Sequence, residues 1–138
     1  MNNDNVAYDV LVDSDAFVGL LYDKDAHHKR ATELFARSAE DNKALVTTSY
    51  VVAEAATVLS HRKGQDAARA FLKMVNRIPT VFITEEIHTE SLALFAQQKR
   101  RGTSVVDCSN AVVMERLGIP KILSFDKVYT KDLGQEAV

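Results

Sequence analysis

The chain has 138 residues, 46% of them apolar and 26% charged, the values of an ordinary globular domain with one core. A net charge of -2 excludes a molecule that is basic all over, so any nucleic-acid contact has to come from local patches. The single cysteine, Cys108, excludes an intrachain disulfide, and no run approaches the roughly 20 apolar residues of a membrane span.

The first residues, Met1 to Asn5, lack the basic-then-apolar pattern of a signal peptide, so a soluble, cytoplasmic protein is expected. Residues 8–12 form a short apolar run that reads as a strand buried on both faces and ends at Asp13. Residues 16–22 read as a short helix. A second helix follows, with Asp25 as its cap and Ala31, Leu34 and Phe35 at helical spacing. Residues 44–46 are a second strand. Ser49 caps a helix over residues 50–62 that Gly64 ends. Asp66 opens another helix, which stops before Pro79. Residues 80–83 are a third strand. Thr84 caps a helix over residues 85–100, with an apolar face of Ile87, Leu92, Leu94 and Phe95. Gly102 breaks the chain, Asp107 stands at the start of a helix to Leu117, and Gly118 closes it. Residues 121–125 are a fourth strand with Asp126 at its end. Strands separated by helices indicate an α/β domain with a parallel sheet. One domain over residues 1–138 is expected, with a structured core of about residues 7–130 and looser ends.

Most of the 19 acids are ordinary surface charges, but some occupy unusual positions. Asp13 and Asp126 each follow an apolar strand, and the carboxyl edge of a parallel sheet is where ligands bind. Glu54 lies in a helix among Val51, Val52, Ala53, Ala55 and Ala56, a stretch too apolar for an exposed face. Asp107 has a similar setting between Val105–Val106 and Ala111–Val113. Converging carboxylates raise one another's pKa, and a divalent cation removes the conflict. Mg2+ or Mn2+ prefers such oxygen ligands and supports phosphodiester hydrolysis. His27, His28, His61 and His88 match no zinc spacing.

These acids and their settings resemble the PIN-domain ribonucleases, in particular the VapC-type toxins of toxin–antitoxin pairs. The resemblance covers nearly the whole chain. Residues 10–21, with Asp13-Ser14, look like the family's opening strand and turn. Residues 47–54 resemble the segment carrying the second acid, Ser104 to Asp107 the third, and Leu123 to Lys127 the strand-end fourth. The resemblance implies a three-layer sandwich with a central parallel sheet of four to five strands flanked by helices. It implies that Asp13, Glu54, Asp107 and Asp126 are the catalytic, metal-holding acids, that Asp126 is the more peripheral, and that the Ser14 hydroxyl supports them. It also implies RNA endonuclease activity, a homodimer and a cognate antitoxin. Asp15 departs from the family, where a small neutral residue is commoner. It either adds charge near the metal or caps the helix and points away.

Lys99, Arg100 and Arg101 form the densest basic run. They are candidates for RNA phosphate contacts, or else cations at a helix C-terminus. His61-Arg62-Lys63 reads as such a helix end. Cys108 reads as a small buried filler, with redox control as the alternative. Two rival functions start from the same residues. Asp13-Ser14-Asp15 also fits the Asp-x-Asp opening of haloacid-dehalogenase-like phosphatases, with Asp13 as nucleophile, but that leaves Glu54 idle. The other rival is a PIN-like RNA- or protein-binding domain without activity.

Overall fold

The computed structural model describes residues 7–138; residues 1–6, on which the leader argument rests, lie outside it. In chain order the elements are β1 (Val10–Val12), α1 (Ser14–Leu21), α2 (His28–Glu40), β2 (Leu45–Thr48), α3 (Ser49–Arg62) and α4 (Gln65–Val75). They continue with β3 (Thr80–Val81), α5 (Glu85–Ala96), α6 (Val105–Leu117), β4 (Lys121–Leu123), α7 (Val128–Lys131) and β5 (Glu136–Ala137). The strands form one sheet in the order β3-β2-β1-β4-β5, and every pairing is parallel.

Alternation along β1 divides the core in two. Val10 and Val12 face one side with Phe17, Leu34, Val51, Leu59 and Phe71 from α1 to α4. Leu11 faces the other with Ile87, Val112, Val113, Met114 and Tyr129 from α5, α6 and α7. The sheet is therefore the middle layer of three. Phe17 anchors the first side, its ring 5.2 Å from Phe71 and 5.9 Å from Phe35. Gly19 lets α1 approach α2 closely, since a Cβ there would meet the Ala31 methyl at 3.1 Å. Gly118 takes the left-handed conformation that ends α6.

Several boundaries differ from the sequence expectation for identifiable reasons. Thr48, not Ser49, caps α3, because Thr48 accepts from Val51 N while Ser49 Oγ accepts from Ile83 N. That same bond draws residue 83 out of the ladder, so β3 stops at Val81. Asp25 does not cap α2, whose N-cap is His27; its carboxylate accepts from His27 N and pairs with Arg62. The α5 helix ends at Ala96, and its expected apolar face is only partly used: Ile87 and Ser91 are buried, whereas Leu92 and Phe95 stay exposed. Beyond residue 130 the chain adds β5 to the edge of the sheet through pairing with β4. Among the described residues no helix is long and apolar enough to cross a membrane.

The connections place the reversal of strand order between β1 and β4. That crevice at the carboxyl edge is the favoured ligand position in an open parallel sheet.

Candidate active site

Asp13 sits at this crevice. As the N-cap of α1 it accepts from Ser14 N at 2.8 Å, which fixes its rotamer at the end of β1. Its carboxylate is 4% exposed and has three further donors around it: Asn110 Nδ2 at 3.2 Å, Ser124 Oγ at 2.9 Å and Tyr129 Oη at 2.9 Å. Asp107 reaches the same place from the first turn of α6. Its Oδ2 completes a capping box with Ser104 N, and its Oδ1 faces Tyr129 Oη at 3.1 Å. Glu54 arrives from α3, half-buried, and accepts from the Ser14 hydroxyl. Asp126 lies in the turn after β4, exposed, where its Oδ1 accepts from Val128 N.

Asp15 joins the cluster and does not cap the helix and point away, since Asp13 already caps α1. Its Oδ2 accepts from Phe125 N at 2.9 Å and lies 3.2 Å from Ser124 Oγ, while its Oδ1 is buried without a partner. It therefore ties α1 to the turn that carries Asp126.

Protons are short in this arrangement. Tyr129 Oη faces both Asp13 and Asp107, and Ser124 Oγ faces both Asp13 and Asp15, yet each hydroxyl has one proton to donate. The carboxyls respond. Burial, aided by the Asp107 charge and opposed by the Ser14, Ser124 and Tyr129 hydrogen bonds, raises Asp13 to about 6. Burial and the neighbouring Asp13 charge raise Asp15 to about 7. Burial and the Asp13 and Asp107 charges push the Tyr129 hydroxyl far up, so it remains a donor. Cys108, buried beside Asp107, is also raised, which keeps it a thiol and removes the basis for a reactive role.

Three participants were not identified as such from the sequence. Asn110 is fully buried in the apolar middle of α6, three residues from Asp107 and so on its face. A polar side chain at a core position needs a partner, and that signal was available. Ser124 and Tyr129 carry no comparable signal, because Ser124 lies in the expected fourth strand and Tyr129 beyond the last expected element.

A divalent cation is compatible with this donor set, which consists of oxygens throughout and includes a buried orphan on Asp15. The side chains are not wrapped around an ion, however. Among the described residues no three His, Cys, Asp or Glu side chains are grouped tightly enough to hold one. Asp13 is already enclosed by donors. Direct ligation by one or two carboxylates, with waters carrying the rest, is the form that fits.

The basic run lies elsewhere than expected of a helix end. α5 has no basic residue in its last turn, and Lys99, Arg100 and Arg101 stand in the loop leading to Ser104. All three are exposed, and Arg100 approaches Asp132 at 3.6 Å. His61 and Arg62 do occupy the last turn of α3.

The family model described as "PIN domain" matches residues 10–131. Among solved structures, the chain is similar to Mycobacterium tuberculosis VapC20, described as a sarcin-ricin loop cleaving toxin. That match has a TM-score of 0.78 and 24% identity, and covers 88% of this chain and 92% of the other. It is also similar to VapBC2 from Rickettsia felis bound to a DNA fragment from its promoter. There the TM-score is 0.67 and the identity 14%, with 94% of this chain and 96% of the other covered. No curated protein sequence matches the chain.

Proposed function

Because the chain belongs to the PIN-domain family, we propose that it is a metal-dependent endoribonuclease acting as the toxin of a toxin–antitoxin pair. The observation that supports this reading is the approach of Asp13 and Asp107 to one Tyr129 hydroxyl, with Glu54 joined through the Ser14 hydroxyl and Asp126 in the neighbouring turn. The description of VapC20 as a sarcin-ricin loop cleaving toxin supports it by analogy of fold.

In this reading Asp13, Glu54 and Asp107 would hold Mg2+ or Mn2+, one or two of them directly and the rest through water, with Asp126 at the periphery. When bound, the ion supplies positive charge for the attacking water and the leaving oxygen. The residues do the rest. Ser14 orients Glu54 toward the site. Asp13 and Asp15, raised to about 6 and about 7, would be held ionised by a cation at the site. Tyr129 and Asn110 hold Asp13 in place. Lys99, Arg100 and Arg101 contact RNA phosphates without reading bases. The cognate antitoxin, a homodimer and a cytoplasmic location belong to the same proposal.

The phosphatase alternative has little room, because a nucleophilic Asp13 would have to attack through its ring of donors. The test is cleavage of total RNA by the purified protein in Mn2+ or Mg2+. Activity is expected to vanish in chelator and in Asp13→Asn while the fold is kept. Expression in cells, with and without the adjacent open reading frame, is expected to show growth arrest only without it. RNA cleavage that persists in chelator contradicts the metal mechanism.

A further inference from the structure

The loop between α1 and α2 meets the turn between β4 and α7 in a flat aromatic contact. The His27 imidazole lies parallel to the Phe125 ring, with centroids 4.3 Å apart and planes within 7°. Phe125 is half-buried, packs against the first core, and its N–H donates to Asp15 Oδ2 at 2.9 Å. The lower ring is thus fixed by the acid cluster itself. The loop that carries the upper ring is held by its backbone and its neighbour: His27 N donates to Asp25 Oδ2 at 2.9 Å, and the adjacent His28 ring donates to Gly19 O at 2.8 Å. Yet the His27 residue is exposed.

A groove of about 320 Å³ runs beside His27, lined by Ser14, Asp15, Asp25, His27 and Arg62 among others. Ser14 and Asp15 belong to the active site, so the groove opens directly into it. Arg62 bounds it with a guanidinium that gives one donor to Asp25 at 3.1 Å and is otherwise more than half exposed. Several of its five donors therefore remain for a phosphate. A fixed aromatic face beside a phosphodiester site stacks nucleobases, and does so with little dependence on sequence. The structure offers that face at one end of the acid cluster and a cation across the groove from it.

We propose that the outer face of His27, backed by Phe125, is a base-stacking subsite for a nucleotide flanking the cleaved bond, with Arg62 taking the neighbouring phosphate. This rests on the ribonuclease reading. The stack thereby selects single-stranded RNA, whose bases are free to leave their neighbours.

The test separates bases from backbone. A short fluorescein-labelled oligoadenylate and an abasic ribose-phosphate chain of equal length are titrated with the Glu54→Gln protein, which leaves them uncut, and anisotropy reports binding. The oligoadenylate is expected to bind about five- to a hundredfold more tightly. His27→Ala in the same background is expected to lose that preference while binding the abasic chain as before, and His27→Phe to keep it. Equal binding of both chains by the parent protein overturns the proposal. So does an equal loss on both chains in His27→Ala, which would make the stack only a latch between loop and turn. If wild type cleaves total RNA and the preference is absent, the subsite fails and the ribonuclease reading stands. If wild type cleaves no RNA, both fall.

Discussion

Asp13 and Asp107 converge on a single hydroxyl, that of Tyr129, at 2.9 and 3.1 Å. The hydroxyl also accepts from Asn110 Nδ2 at 2.9 Å, so its one proton is left to serve two buried carboxyls. The contact joins the end of β1 to the start of α6 and sets the spacing of the two acids. It holds them close while Asp13 keeps its proton or a cation lies nearby.

Tyr129→Phe removes that donor and keeps the ring in its fully buried place. Asn110 loses an acceptor and Asp13 a donor, at a cost of about 1–3 kcal/mol. Without metal, the melting temperature is expected to fall. With saturating Mg2+ or Mn2+, the variant should recover more of the loss than wild type gains, because the ion then carries the whole neutralisation. Calorimetry in chelator and in metal checks this. Equal metal-induced shifts in the two proteins would refute it.

The raised carboxyls give a pH dependence of definite sign. Asp13 near 6 and Asp15 near 7 hold their protons more tightly in the native state than in the unfolded chain, where both titrate near 3.8. The native state then binds more protons between about pH 4 and 7, so metal-free stability falls as pH rises through that window. The slope is at most about 1.4 kcal/mol per pH unit for each group. Melting in chelator is expected at a higher temperature at pH 5 than at pH 8. Asp15→Asn, which leaves that position uncharged, should flatten the profile. A melting temperature that rises with pH in chelator would contradict the sign.

The parallel sheet and the places of Asp13 and Asp126 after its strands are legible in the sequence because each depends on a local pattern. An apolar strand ending at Asp13 or near Asp126 needs no tertiary information to place its acid at the carboxyl edge. Partnerships between distant segments were not legible. Asp15 reads as a helix cap or as an acid near the site, and the choice turns on Phe125 N and Ser124 Oγ, which arrive from the far end of the chain. Asp25 reads as a cap by residue type, but its partner Arg62 comes from another helix. The exposure of Phe82, at 73%, and of Leu92 and Phe95 has no counterpart in helical or strand periodicity, which assigns apolar residues to the core.

The repulsion argument alone makes Asp107→Asn a stabilising change. The structure reverses that expectation. Both oxygens of Asp107 accept, one from Ser104 N and one from Tyr129 Oη. An amide retains one acceptor and turns a donor toward the other group. Asp107→Asn is therefore expected to abolish RNA cleavage and also to lower metal-free stability by up to about 1 kcal/mol, because the cap keeps an oxygen but loses the negative charge that a helix N-terminus favours. Melting in chelator alongside a cleavage assay reads both. A clear gain in stability would show that charge relief outweighs the cap.

Ser14 separates orientation of an acid from possession of it. Its hydroxyl donates to Glu54 from the first residue of α1. Ser14→Ala leaves every carboxylate in place but frees Glu54 to rotate. Cleavage is expected to slow about ten- to a hundredfold, the range for losing a group that orients a metal ligand. Ser14→Thr, which keeps the hydroxyl, should retain most activity. Equal loss in both variants would point to disturbance of the helix start instead.

The basic loop is best tested by salt. Lys99 and Arg101 have no acidic partner within salt-bridge distance among the described residues, whereas Arg100 has Asp132. Contacts to phosphate release counterions, so each one steepens the fall of RNA affinity with salt by about 0.7 in log–log slope for a single strand. Replacing both Lys99 and Arg101 with Ala is expected to weaken binding of every RNA alike and to reduce the slope by about 1.4. Arg100→Ala should change it less, since its charge is partly answered by Asp132. An unchanged slope in the double variant would place the RNA path away from this loop. The approach to the acids would then depend on the bound cation and on Arg62, the cation that lines the groove beside Asp15.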